Sequence, residues 1–204
     1  MKNKKAAEIG YKFLEWLAPY CRRAEIAGSV RRGKPDVKDL EIVAIPWVEM
    51  HQEMGLFGPV GQPAEVSWLE ETLAHDLPPG WEPGGKNGPK LKRFIHTSGL
   101  VCELYMATAE SWGGALAIRT GPAEFSQALV IRARRIGMQV SGGYYLHRHA
   151  ARIGPDGNAI PCERGEHCIM IVPCYEEIEF FEALGVEWRE PGGRSGQLSV
   201  VSNQ

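Results

Sequence analysis

The sequence predicts an α+β fold in two lobes, residues 1–109 and 110–204. Three observations point that way. Stretches of alternating, β-branched character (Leu40 to Ile45, Leu91 to His96, Leu100 to Met106) crowd into the first half. Helical periodicity brackets them without strict strand–helix alternation. The pattern then changes near Glu110 to longer helices and short strands. A chain of 204 residues, 44% hydrophobic and 24% charged, suits one domain or two small lobes and can bury a core without staples.

Residues 4–18 read as a helix whose inner face carries Ala7, Phe13, Leu14 and Leu17, with Ile9 and Trp16 at its margins and Pro19 ending it. Ala24 to Ala27 starts a short strand, and Gly28-Ser29 opens a basic turn. Leu40 to Ile45 is a strand closed by Pro46. Residues 47–63 show no clean period and read as a loop. Residues 64–76 read as a helix stopped by Pro78-Pro79-Gly80, and Gly80 to Pro89 as a turn region. Leu91 to His96 and Leu100 to Met106 form a hairpin around Thr97-Ser98-Gly99.

In the second half, Ser111 to Ile118 is helical and Arg119-Thr120-Gly121-Pro122 a break. Ala123 to Ile136 is a helix with Phe125, Leu129, Val130 and Ala133 inward. Short strands are expected around Gly143–Arg148 and His167–Val172, with a turn at Gly154 to Asn158 between them. Tyr175 to Leu184 is a last helix capped by Gly185, and the Gly- and Ser-rich tail from Pro191 is expected to fray.

Five cysteines, an odd number, follow no secretory pattern, and no apolar run approaches a membrane span. A reducing, cytoplasmic setting with free thiols is the expectation. His147, His149, Cys162, His167, Cys168 and Cys174 match neither a C-x₂-C nor an H-x₃-H spacing, and read as scattered thiols and a polar strand end rather than a zinc site. The net charge of −2 argues against tight nonspecific binding to a polyphosphate backbone.

The stretch Gly28 to Glu41 carries the chemistry. Gly28 lets backbone approach a ligand, Ser29 offers a hydroxyl, and Arg32 offers a fork for phosphate oxygens. Asp39 and Glu41 stand two apart on a strand and share a face, with Leu40 on the other. Paired acids on one face repel unless a cation sits between them, and hard cations want such oxygens.

Gly28-Ser29-Val30-Arg31-Arg32, then Asp39-Leu40-Glu41, resembles the Gly-Ser-x-Arg-Arg and acid-x-acid pattern of the family X DNA polymerases, the DNA polymerase beta-like nucleotidyltransferases, in a short bacterial or phage-type form. Downstream, Val101-Cys102-Glu103, Ile118-Arg119-Thr120-Gly121 and Trp188-Arg189-Glu190-Pro191 resemble the family's third acid, its Thr-Gly segment and its closing tail. The resemblance implies a nucleotidyltransferase palm with a mixed antiparallel sheet over 1–109 and a small α/β thumb over 110–204. It implies two Mg²⁺ ions (Mn²⁺ as a substitute) on Asp39, Glu41 and Glu103, with Glu103 also helping to deprotonate a primer 3′-hydroxyl. Gly28, Ser29 and Arg32 would hold a nucleoside triphosphate's phosphates, and Thr120 and Gly121 would line its sugar and base pocket. Arg132, Arg134 and Arg135 would contact a DNA strand. The implied activity is template-directed filling of short gaps in DNA repair or replication by a monomer that binds DNA weakly. The chain departs from the family with Glu103 in place of Asp, Val101 in place of Arg, and no helix-hairpin-helix modules. Two alternatives stay open: transfer to an RNA end, protein or small molecule, or a catalytically weak member that binds nucleotide or nucleic acid.

Overall fold

A computed structural model describes residues 1–142, 144–155 and 159–201. Helix α1 (Asn3–Leu17) buries Ala6, Gly10, Phe13 and Leu17, a stripe at i, i+4, i+7 and i+11. The stripe centres on Ala6 rather than Ala7, while Ala7, Ile9, Leu14 and Trp16 pack along its edges. Gly10 allows close contact: a Cβ there would lie 2.9 Å from Ile26 Cδ1 and from Leu40 Cδ1.

Strand β1 (Cys21–Ile26), the short helix α2 (Gly28–Arg31) and strand β2 (Asp39–Pro46) follow, then β3 (Val48–Gly55), β4 (Gly58–Ser67), helix α3 (Trp68–His75), and strands β5 (Trp81–Gly88), β6 (Leu91–His96) and β7 (Val101–Met106). The second half runs α4 (Trp112–Thr120), α5 (Ala123–Arg135), β8 (Gln139–Ser141), β9 (Tyr145–His147), β10 (Arg152–Ile153), β11 (Ala159–Ile160), β12 (Ile171–Val172) and α6 (Glu177–Ala183). The architecture is α+β around a mixed sheet in the order β1-β2-β7-β6-β5, in which only β2 and β7 are parallel. A three-stranded sheet, β12-β9-β8, lies in the second half.

One buried cluster, from Ala6 to Met106, joins α1 to the main sheet. A second, from Ala117 to Val186, joins α5 and α6. A third, with Ala27, Val43, Tyr105, Trp112 and Leu116, fastens α4 to β2 and β7. No helix among the described residues is long and apolar enough to cross a membrane.

Four expectations need correction. Residues 47–63 are no loop: β3 and β4 pair as an antiparallel ribbon. Nearly every β3 residue is exposed, so neither face needed the apolar alternation that announces a strand. Helix α3 begins only at Trp68, because Ser67 caps it by accepting from Glu70 N at 3.3 Å, and residues 64–66 belong to β4. Gly80 to Pro89 holds edge strand β5, glycine-rich and irregular between Pro83 and Asn87, anchored where Trp81 stacks on Phe13 at 4.5 Å. The tail from Pro191 does not fray over its described residues, which end at 201: a 3₁₀ turn at Pro191–Gly193 leads into buried Arg194, and Val200 bridges to Val186.

Smaller differences occur elsewhere. Helix α4 extends through Arg119 and Thr120, so the break falls at Gly121-Pro122. Of the strand expected over His167–Val172 only Ile171–Val172 pairs, while Gly165–His167 forms a 3₁₀ turn. Gly185 takes φ +61° just after α6, the left-handed stop expected of it. Gly143, and residues 156–158 of the expected Gly154 to Asn158 turn, lie outside the described residues.

Candidate active site

Strand β2 alternates as a half-buried strand must. Leu40 and Ile42 point into the core at 0% exposure, and Asp39 and Glu41 occupy the opposite face. Parallel pairing with β7 sets Glu41 directly beside Glu103 and Asp39 beside Val101. Neighbouring strands stand about 4.8 Å apart, so the three carboxylates lie on one face of two adjacent strands, although their oxygens are not drawn into a group within 4.8 Å of one another. The Glu41 and Glu103 side chains are 20% and 17% exposed, buried enough to feel one another and open enough for a ligand to reach.

The two glutamates differ sharply. Burial pushes the Glu41 carboxyl up to about 7, aided by the charges of Asp39 and Glu103 and only partly offset by Arg119 and Arg32. Burial also works to raise Glu103, but hydrogen bonds from Tyr105 and Arg93, with the nearby Lys86 ammonium, hold it below the usual carboxylate range. Arg93 sits directly across from Glu103 in the β6–β7 pairing and donates to Oε1 through Nε at 3.2 Å. Arg119 covers the Tyr105 ring at 3.9 Å, donates to its hydroxyl at 3.0 Å, and brings a guanidinium nitrogen 3.9 Å from Glu41. Arg93, Tyr105 and Arg119 are the site residues that sequence reasoning missed.

The Gly28 turn folds over Glu41. Ala27 N donates to Glu41 O at 2.7 Å, which fixes the turn above β2. Gly28 takes φ +63°, and a Cβ there would fall 2.1 Å from Glu41 Oε2. Gly28→Ala should therefore cost about 1–2 kcal/mol from backbone strain alone, plus displacement of the Glu41 carboxylate. A denaturant melt measures it, and unchanged stability would mean that the turn does not press on Glu41.

Within the turn, Ser29 Oγ and Arg32 Nε are buried yet have no hydrogen-bond partner among the described residues. Unpaired buried polar atoms are costly, and their persistence here is what a ligand-accepting cradle looks like. Arg32 is held from its other end, donating to Thr120 O at 2.6 Å. Arg31 does not face the acids. It donates to Thr120 Oγ1 at 2.8 Å and pairs with Glu177 at 2.9 Å.

The remaining candidates scatter. Thr120 is fully buried and engaged by both arginines, so its side chain serves the joint between α2 and α4 rather than an open pocket. A Cβ on Gly121 would meet Phe125 and Ser126, so its lack of a side chain serves packing at the head of α5. Arg132 caps α6 by donating through Nε to Leu184 O at 2.8 Å, which ties its guanidinium to the end of that helix. Arg134 and Arg135 remain exposed on α5. Trp112 is a core residue, fully buried under the Arg23 guanidinium.

Asp39, Glu41 and Glu103 are hard oxygen donors of the kind a divalent cation wants, and a cation beside Glu41 would favour its ionised form against the burial that raises its carboxyl. The oxygen donor set, with the Ser29 and Arg32 turn beside it, suits magnesium in its chemistry. No family model matches the chain, and no curated protein matches it in sequence.

Proposed function

We propose that the chain is a magnesium-dependent nucleotidyltransferase whose first half is a polymerase beta-like palm and whose second half is a small thumb. The observation that carries the reading is the pairing of Glu41 with Glu103 on parallel strands, Asp39 on the same face, beneath a turn with an unpartnered Ser29 hydroxyl. In the proposed reaction a hydroxyl oxygen attacks the α-phosphorus of a nucleoside triphosphate. The α–β bridging P–O bond breaks, pyrophosphate leaves, and the hydroxyl proton passes to solvent. Magnesium held by Asp39, Glu41 and Glu103 would neutralise charge on the phosphates and favour ionisation of the attacking hydroxyl.

The chain's own residues divide the remaining work. Ser29 Oγ and Arg32 Nε, both without partners among the described residues, orient the triphosphate's outer oxygens. Gly28 keeps the space between turn and carboxylate free of a side chain. Tyr105 and Arg93 keep Glu103 ionised, which suits a permanent ligand better than a proton acceptor. Arg93 also supplies a cation beside the third acid, where Val101 supplies none. Arg119, reaching toward Glu41 from α4, ties the charge state of the site to the position of the second half.

A DNA 3′-hydroxyl is the acceptor we favour, on the resemblance of Gly28 to Glu41 and of the segments after it. The second reading, a non-DNA acceptor, draws on the net charge of −2 and on Arg132 being engaged by Leu184. Incorporation into a one-nucleotide gap, compared with single-stranded RNA ends, separates them. Magnesium-dependent gap filling should fall on the order of 10³-fold in Asp39→Asn, a loss of several kcal/mol of charge stabilisation. Full activity in that variant would sink the assignment. If DNA is the acceptor, Arg134→Glu with Arg135→Glu should weaken gapped-duplex binding and flatten its salt dependence.

A further inference from the structure

The spacing of the C-terminal histidines and cysteines matches no paired zinc motif, yet the fold gathers four of them. One ligand atom each from His147, His149, Cys162 and Cys168 lies within 4.8 Å of every other. We propose that these four side chains form a structural zinc site that pins the excursion between β9 and β12.

The chemistry of the donors is the first argument. Two thiols and two imidazoles are the borderline-soft set that zinc prefers, and they lie apart from the acids of the sheet. A tetrahedral zinc with bonds of about 2.0–2.3 Å holds its ligand atoms about 3.3–3.8 Å apart, so the cluster needs only a slight contraction. Cys168 Sγ and His149 Nε2 already stand at 3.5 Å.

The second argument is the state of His147. It is fully buried, its Nε2 is 3.0 Å from Ser141 Oγ, and its Nδ1 has no partner among the described residues. A buried ring nitrogen left bare costs on the order of 1–3 kcal/mol, which a metal bond would remove. The outer contacts match those of a metal-bound imidazole. His147 Nε2–H can donate to Ser141 Oγ, whose own hydroxyl can donate to Cys162 O at 3.5 Å. His149 Nδ1–H can donate to Ala150 O at 3.0 Å, leaving Nε2 for the metal. Gln139 holds two of the ligand-bearing segments together, accepting from Cys162 N at 3.0 Å and donating to Ala150 O at 3.1 Å.

The third argument is what else could fold this excursion. β9 and β12 pair with each other, and among the described residues the chain between them makes only the small β10–β11 hairpin and a 3₁₀ turn at Gly165–His167. Among its residues of described burial, only Gly154 and Cys168 are buried, while Ile153 and Ile169 are 70% and 88% exposed. The described residues of the excursion build no apolar core of their own. Segments that lack one are commonly ordered by a metal, whose binding free energy becomes folding free energy.

Elemental analysis of the full chain, purified in reducing buffer without chelator, tests this. We expect one zinc per chain, retained in Cys21→Ser and lost in Cys168→Ser and His149→Ala. Because misfolding of those last variants would also lose the metal, the wild-type chain stripped of metal is titrated with cobalt(II) as well. A tetrahedral d–d spectrum with thiolate-to-cobalt charge transfer is expected, as is protection of Cys162 from alkylation on adding zinc. Equal zinc content in wild type and Cys168→Ser would overturn the site. So would an octahedral cobalt spectrum, a Cys162 alkylation rate indifferent to zinc, or a Cys162–Cys168 disulfide in the reduced preparation.

Discussion

Glu41→Gln is expected to have two opposite effects, abolishing nucleotidyl transfer while stabilising the metal-free protein. The activity loss, on the order of 10³-fold or more, follows from removing a central anionic ligand from the acid cluster. The stability gain follows from the position of Glu41, whose carboxyl is pushed from an ordinary 4.5 to about 7 by burial beside Asp39 and Glu103. In the unfolded chain that carboxyl ionises near 4.5. Stability is therefore intact below about pH 4.5 and is lost as pH rises toward 7, because the folded state binds the extra proton. The loss amounts to about 3 kcal/mol once both states are ionised. Glutamine carries no charge and escapes it. In chelator, the variant should melt above the wild type at pH 8 by roughly 2–4 °C per kcal/mol regained, with the two curves converging below pH 4.5. Magnesium should erase the difference by discharging Glu41 in the wild type, and wild-type affinity for magnesium should rise from pH 6 to 8. Melting curves that run parallel at every pH would show that Glu41 is not held against its neighbours' charge.

That conflict between stability and charge was legible in part from the sequence. Asp39 and Glu41 announce themselves because residues two apart on a strand must share a face, and Leu40 between them needs a core. Arg93 was legible but unread. Once Thr97-Ser98-Gly99 is the turn, pairing His96 with Leu100 forces Arg93 opposite Glu103, and the structure has that register. Tyr105, two beyond Glu103, follows by the same alternation. Ser67 and Glu70 carried a helix-start signal that places the beginning of α3. The β3–β4 ribbon had no such trace, since a strand exposed on both faces leaves no period in its composition. The four zinc-ligand candidates come from three separated stretches, and only the loop between β9 and β12 brings them together. Arg194 sits in a Gly- and Ser-rich tail whose composition suggests solvent; only the tertiary position of Glu177 reveals its burial.

The proposed catalytic face thus depends on contacts that involve none of the three acids. Asp39, Glu41 and Glu103 belong to the sheet, but Ser29 belongs to α2 and Arg32 is the residue that ends it, a helix too short to hold itself in place. Its position comes from β2 on one side, through Ala27 and Glu41, and from the second half on the other, through Arg31 and Arg32.

Glu177→Ala is accordingly expected to be the most destabilising single change outside the main core, and to lower transfer without touching the acids. The Glu177 carboxylate is 5% exposed and accepts from Arg31 at 2.9 and 3.1 Å, from Arg194 at 2.8 Å and from Trp188 Nε1 at 3.3 Å. Burial works to raise its carboxyl, but the hydrogen bonds and charges of Arg194 and Arg31 outweigh it and hold the group ionised below the ordinary range. Its contribution is thus present above the ordinary carboxylate value and is lost as pH falls through the lower folded one. Removing the carboxylate leaves Arg194, whose side chain is 0% exposed, as an uncompensated buried cation. Breaking a buried pair in this way costs about 3–5 kcal/mol, a large share of the stability of a domain this size. Arg31, 22% exposed, can turn toward water, which relaxes α2 and with it Ser29 and Arg32. Gap-filling kcat should then fall while magnesium affinity holds, since the acids stay on the sheet. The double variant Glu177→Leu with Arg194→Met, which removes both buried charges, should recover most of the stability. It should not recover kcat, because Arg31 still lacks its partner. Recovery of both together would mean that α2 is positioned by the sheet alone.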